Sequence, residues 1–283
     1  MLLLVDLDGV VYRGSRPVPG VAAVLAARVA AGDEVVYVTN NSMWYRTDYV
    51  ARLTSMGAPV SPDRIVSSAR ATALYLAESD PPPHLTLVVG GEGLMHEMRD
   101  AGLAILPSAD AAATWAADDR NAGPAVAGVD AVVVGLDLEL TYGKLAVAAE
   151  AIRAGARFVA TNRDPIYPQE HGFGPGAGSI VAAVAAATAV EPVSIGKPAP
   201  LLLQVAARAA GHAVGDAVMI GDSLITDMLA ARAVGARSVL MLTGATNRAQ
   251  LAALSPADRP TEVASDAAGL AAALERLAAT PAR

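Results

Sequence analysis

The chain contains no cysteine. Disulfides, thiol catalysis and Cys-ligated metals are therefore excluded, and the absence fits a cytoplasmic protein. Lysine is almost absent as well: among 21 basic residues only Lys144 and Lys197 are Lys. A Lys kept in an Arg-rich chain can supply a compact point charge where a planar guanidinium fork would not serve. Lys197 follows a short apolar strand in Ile195-Gly196-Lys197-Pro198 and is the candidate for such a role, whereas Lys144 sits in an ordinary helical stretch and is expected at the surface. No apolar run reaches the roughly 18 residues that argue for a membrane span. Met1–Leu4 is not expected to be a signal peptide, because no basic segment accompanies it and Asp6 interrupts it at once. There is no basic excess either. The net charge of −7 argues against nucleic acid and anionic membranes as main partners.

What is present is enough chain for one or two domains with a sizeable core. Hydrophobic residues make up 53%, Ala prominent among them, with charges interspersed throughout, so the chain reads as a soluble globular protein. The most informative stretch comes first. An apolar strand, Leu2–Val5, runs into Asp6-Leu7-Asp8-Gly9. Residues two apart in an extended chain point to the same side, and Gly9 lets the backbone turn tightly. Buried carboxylates are costly unless a cation, a partner charge or hydrogen bonds offset their desolvation. The pair suits a hard cation with one carboxylate nucleophile and one carboxylic acid side by side.

Strand and helix patterns alternate along almost the whole chain, which predicts an α/β fold with mainly parallel sheets. Strands are expected at 2–5, 34–38 and 64–66, with helices at about 20–31, 45–56 and 68–78. Asp80-Pro81-Pro82-Pro83 marks a stiff junction, and Glu191-Pro192 a second one. Between them lies a section with its own α/β rhythm and a long Gly/Pro-rich loop over 164–178. After it, 193–195 and 217–220 are expected as strands, 200–210 and 225–234 as helices. The expected organisation is a discontinuous domain of about 1–80 plus 191–283, with a second α/β domain inserted at 81–190.

Ligands of open parallel sheets lie at the carboxyl ends of the strands. Four polar motifs fall in loops at or near such ends: Asp6/Asp8, Thr39-Asn40, Lys197, and Gly221-Asp222 with Asp227 five residues on. Each alone is compatible with a plain turn or a solvated Lys. Together, acids from two strands can make an all-oxygen site suited to Mg²⁺, while a hydroxyl, backbone N–H groups and an ammonium can hold phosphoryl oxygens.

The series DLDGVVYRG, VTNNS, IGKP and GDSLITD resembles the four motifs of the haloacid dehalogenase superfamily of phosphohydrolases. ATNRDPIYP followed by GPGAGSIVAAV is similar to the NagD-like branch, which holds 4-nitrophenylphosphatases, phosphoglycolate phosphatases and pyridoxal phosphate phosphatases. The likeness spans roughly 2–245. It implies a Rossmann-like parallel-sheet core domain with an inserted α/β cap domain, and an Mg²⁺-dependent phosphatase acting on a small phosphorylated metabolite. By the same resemblance Asp6 is the nucleophile that becomes an aspartyl phosphate, and Asp8 the acid and base. The Asp6 and Asp222 carboxylates and the backbone carbonyl of Asp8 hold Mg²⁺, Asp227 orients the metal's water shell or a ligand, and Thr39, Asn40 and Lys197 hold the phosphoryl group. Asp8 also separates this reading from the dehalogenases of the superfamily, which lack a second acid there. Substrate choice is expected from the inserted domain, through Asn162, Asp164 and Tyr167 in a loop overhanging the site. The alternative for Asn162 and Asp164 is that they brace their loop by side chain–backbone bonds. Pyridoxal phosphate phosphatases of the branch tend to carry a His where Tyr167 stands. His171, in the same loop, is read as a surface residue.

Two other readings stay open at this level. A phosphotransferase or mutase would pass the same aspartyl phosphate to an acceptor. A phosphoryl-accepting regulatory module also has a strand-end Asp, a Thr and a Lys, but is usually far shorter and carries no inserted domain. The oligomeric state is left open, a homodimer included.

Overall fold

The computed structural model describes residues 1–169 and 172–280, so His171 lies outside the described residues. The chain forms two compact units. The first comprises Met1–Thr39, Arg46–Val66 and Lys197–Arg283, and the second Asn40–Tyr45 and Ser67–Gly196.

Among the described residues, the first unit is built on a sheet whose strand order is Glu262–Ala264, Arg237–Met241, Val218–Gly221, Leu2–Val5, Glu34–Thr39 and Ile65–Ser67. Leu2–Val5 pairs in parallel with Val218–Gly221 on one side and with Glu34–Thr39 on the other. It is the point where the order reverses: later strands are laid down first to one side and then to the other. Such a switch point opens a crevice at the strands' carboxyl ends. Leu2–Val5 is buried throughout, as expected of an unbroken apolar run in a parallel sheet covered on both faces. The core joins Leu3, Val5, Tyr37, Ile220 and Val239 to helix residues such as Leu25, Leu53 and Leu274.

The second unit has a five-stranded sheet, ordered Val193–Ser194, Arg157–Ala160, Ala131–Val134, Thr86–Val89 and Ile105–Pro107, all parallel. Val132, Val134, Phe158, Val147 and Val181 are among its core residues. Helix Tyr142–Arg153 starts where Thr141 accepts the Lys144 N–H, a side-chain cap that satisfies an otherwise orphaned donor.

Four expectations change. The second unit is larger than the proline-bounded insertion at 81–190, because helix Ser68–Ala77 packs against helix Glu92–Asp100 and joins it. The strand expected at 193–195 does not resume the first sheet. Val193 and Ser194 pair with Val159 and Ala160, so this strand is an edge of the second sheet. The expected loop over 164–178 contains an antiparallel hairpin, Ile166–Gln169 with Gly172–Pro175. Lys144, expected at the surface, is largely covered and pairs at 2.9 Å with the buried Asp137.

Candidate active site

In the first unit, Asp6 follows strand Leu2–Val5, Thr39 closes strand Glu34–Thr39 and Asp222 follows strand Val218–Gly221, so the parallel order delivers all three to one edge of the sheet. Asp227 arrives differently. After Ser223 the chain makes a wide turn, Leu224–Met228, closed by a bond from Met228 N–H to the Ser223 carbonyl, and only then enters helix Leu229–Ala233. A helix was expected from 225 onwards. Such a five-residue turn is uncommon and concentrates at functional sites. Here it turns Asp227 inward, where its Oδ2 accepts the backbone N–H groups of Asp222 and Ser223, both at 3.1 Å.

Lys197 is buried, and its Nζ lies 2.7 Å from Asp6 Oδ1 and 2.7 Å from Asp227 Oδ1. Its position does not come from a strand of the first sheet, as expected. It comes from the turn that precedes helix Leu201–Ala209. Burial alone would lower the pKa of this ammonium, but the carboxylates of Asp227 and Asp6 outweigh it and raise it well above the usual value. Lys197 is therefore a fixed cation.

Asp6, Asp222 and Asp227 each offer a carboxylate oxygen, and these oxygens lie within 4.8 Å of one another. With all three ionised, one ammonium cannot neutralise them. The surplus shows in their protonation. Burial raises the pKa of Asp6 most strongly, Lys197 opposes it, and the charges of Asp227 and Asp222 raise it further. Asp222 is pushed up to about 6, first by burial and then by Asp227, against the Ala245 N–H and Lys197. A buried, all-oxygen set with excess negative charge fits a hard divalent cation. The Asp8 carboxylate stands outside this trio and is solvent-exposed. Its surroundings still desolvate it enough to raise its pKa, with Arg52 and Lys197 opposing. A carboxyl that holds its proton more tightly than usual, yet reaches solvent, suits general acid–base work.

Close packing around the trio explains several glycines. A Cβ on Gly9, whose φ is +82°, would fall 2.0 Å from Asp222 Oδ2, and one on Gly244 would fall 1.7 Å from it. The loop bearing Gly244 also holds the site: Ala245 N–H bonds Asp222 Oδ2 at 2.5 Å, Thr246 Oγ1 accepts the Leu224 N–H, and Thr243 Oγ1 donates to the Gly9 carbonyl.

In the second unit, Asn40 is held from several sides. Its carbonyl accepts from Ser68 Oγ at 2.6 Å and from Asn162 Nδ2 at 2.7 Å. Its Nδ2 donates to the Asp164 carboxylate at 3.1 and 3.3 Å. The Asp164 N–H in turn bonds Asn162 Oδ1 at 3.1 Å. Asn162 is buried. Tyr167 packs on the second unit's core, while Ile166 and Phe173 are exposed on its hairpin.

Comparisons with known proteins identify the family. A family model described as haloacid dehalogenase-like hydrolase matches residues 3–104, and one described as HAD-hydrolase-like matches 194–270. An acid sugar phosphatase of Staphylococcus saprophyticus is 34% identical over 248 residues, covering 88% of each chain. The chain belongs to the haloacid dehalogenase-like hydrolases. Within that superfamily it is of the NagD-like type and a phosphoric monoester hydrolase. The p-nitrophenyl phosphatase of Archaeoglobus fulgidus superposes with a TM-score of 0.83 at 30% identity, covering 96% of this chain and 98% of that one. The glycerol phosphate phosphatase Rv1692 of Mycobacterium tuberculosis, solved in complex with magnesium, gives 0.79 at 36% identity, covering 95% and 75%.

Several supporting residues went unrecognised in the sequence: Arg52 and the Thr243–Thr246 loop around the trio in the first unit, and Ser68, which holds the Asn40 carbonyl, in the second. For the loop a signal existed, in that Thr243-Gly244 follows an apolar strand as Thr39-Asn40 does. Arg52 and Ser68 lie in helical stretches, where nothing local separates them from surface residues.

Proposed function

We propose that the protein is an Mg²⁺-dependent phosphatase that hydrolyses small phosphate monoesters through an aspartyl phosphate on Asp6. The observation that carries this is the buried trio Asp6, Asp222 and Asp227, with Lys197 paired to Asp6 and Asp227. Mg²⁺, held by the Asp6 and Asp222 carboxylates and the Asp8 backbone carbonyl, would supply charge neutralisation for the phosphoryl oxygens. Support for Mg²⁺ comes from the oxygen donor set and from the magnesium complex of the mycobacterial relative.

Lys197 fixes one oxygen of Asp6, and the carboxylate attacks phosphorus. The bond from phosphorus to the ester oxygen breaks, and Asp8 gives its proton to the departing alkoxide. The Asp8 carboxylate then takes a proton from water as that water attacks the aspartyl phosphate, releasing inorganic phosphate and restoring Asp6. Thr39, Asn40 and Lys197 stabilise the transferring group, as preorganised donors do where charge develops. Asp227 acts here by seating Lys197 and the Asp222–Ser223 backbone.

The inserted unit reads the organic group, because the motif residues account for phosphate and metal and leave nothing to recognise it. The exposed Ile166 and Phe173 of the hairpin are candidates beside Tyr167. Sugar phosphates, glycerol phosphate and phosphoglycolate are the substrate classes, the first two supported by the names of relatives. The test is a phosphate-release screen over these esters, 4-nitrophenyl phosphate, nucleotides and pyridoxal phosphate, with and without chelator and with and without an acceptor alcohol. Release that needs Mg²⁺ and no acceptor is expected. Full activity after chelation, or transfer only to an acceptor, contradicts the proposal.

A further inference from the structure

Asp164 and Asn162 share a hydrogen-bonded cluster with Asn40 in the second unit, and its geometry speaks against direct contact with an organic group. Asn162 is buried, and its amide is engaged at both ends: Nδ2 donates to the Asn40 carbonyl and, at 3.3 Å, to Thr161 Oγ1, while Oδ1 accepts the Asp164 N–H. The Asp164 carboxylate accepts from Asn40 Nδ2. A carboxylate brought against a phosphate ester would repel it. Accepting from a neutral amide one step removed carries no such penalty.

The cluster also reaches the other end of the inserted segment. Gly196 N–H bonds the Thr161 carbonyl at 2.8 Å. A Cβ there would lie 2.7 Å from Asn40 Oδ1 and 2.8 Å from Asn162 Cβ, so only Gly fits. Asn40 follows Thr39 directly, and Gly196 directly precedes Lys197. One hydrogen-bonded cluster thus grips the chain one peptide bond away from two of the residues that hold the phosphoryl group. A misplacement of the order of 1 Å in such groups can cost about 100-fold in rate.

We propose that Asp164, seated by Asn162, is a positioning residue that acts on the phosphoryl site through the Asn40 side chain, and so affects every phosphate ester alike. This rests on the phosphatase reading above. It differs from a specificity role in what it predicts.

The experiment compares kcat and KM of wild type, Asp164→Ala, Asp164→Asn, Asn40→Ala and the Asn40→Ala/Asp164→Ala double variant. The substrates are 4-nitrophenyl phosphate and glycerol phosphate, with thermal melting to verify folding. Asp164→Ala should lower kcat/KM by a common factor of about 10–100 for both esters, mostly in kcat. Asp164→Asn keeps an acceptor oxygen for Asn40 and should recover most of the loss. In the Asn40→Ala background Asp164→Ala should change the rate by less than about threefold, since its route is already removed. A loss confined to one ester, or independent multiplicative losses in the double variant, overturns the proposal. If Asp164→Ala does not fold, Asp164→Ser, whose shorter side chain cannot reach Asn40 Nδ2 in the same way, decides by the same ratio between esters. Absence of phosphate release by wild type would instead refute the phosphatase reading.

Discussion

The Nζ of Lys197 lies 2.7 Å from Oδ1 of Asp6, with both side chains buried. The same nitrogen meets Asp227 at 2.7 Å, so one point charge is pinned between the Asp6 carboxylate and the wide turn that carries Asp227. A guanidinium fork has a different shape and spacing. Lys197→Arg should therefore lower kcat by about 100-fold or more although charge is conserved. Lys197→Met should also cost about 3–5 kcal/mol in metal-free stability, because it leaves buried carboxylates without their cation. Steady-state kinetics and urea melts check the pair, and an Arg variant at wild-type rate would show that charge alone suffices.

Asp6→Asn should abolish turnover, since an amide is a poor nucleophile. Asp8→Asn should slow both formation and hydrolysis of the phosphoenzyme. Groups that act as a unit lose activity non-additively, so the double variant should be little worse than Asp6→Asn. A double variant slower than Asp6→Asn by the full Asp8→Asn factor would show that the two act independently.

The carboxylate trio gives a pH signature. In the metal-free protein Asp222 has its pKa raised from 3.8 to about 6 by burial and by Asp227. A raised folded-state pKa means that folding favours the protonated form. That contribution to stability is complete below about pH 4 and disappears as the pH rises through about 6. Asp6 shifts in the same direction. Mg²⁺ bound as proposed would relieve the repulsion that appears above this window, and below it would have to displace protons. The Mg²⁺-induced rise in Tm should therefore be larger at about pH 7.5 than at about pH 5. Equal shifts at both pH values would contradict this account.

Gly244 is the tightest point beside the carboxylate trio, with a hypothetical Cβ only 1.7 Å from Asp222 Oδ2. Gly244→Ala must push Asp222 aside or move its own loop. Loss of such support usually costs 10–100-fold in metal affinity, so the Mg²⁺ concentration for half-maximal rate should rise by about tenfold or more. An unchanged Mg²⁺ dependence would mean that the loop yields without disturbing Asp222.

The legible parts of the molecule are those with local signals. Leu2–Val5 with Asp6 and Asp8, and Val218–Gly221 with Asp222, are apolar strands ending abruptly in acids, and both imply the parallel sheet. Hairpin Ile166–Gln169/Gly172–Pro175 is not legible in this way, because Gly and Pro are poor strand formers. The pairing of Val193–Ser194 with the second sheet is not legible either, since two residues carry no information about their partner. The bond between Asn40 and Asp164 spans 124 residues, and only folding brings the pair together. The Asp227 position depends on a π-type turn that hydrophobic periodicity does not distinguish from an α-helix.

The central claim is that Asp6 carries the phosphoryl group. The most direct test is mass spectrometry of Asp8→Asn protein quenched in acid after mixing with a phosphate ester and Mg²⁺, where hydrolysis of the intermediate is slowed. The account predicts a phosphoryl adduct on the peptide containing Asp6, lost on treatment with hydroxylamine and absent from the Asp6→Asn protein. Phosphate release with no adduct on Asp6 at any quench time would contradict it.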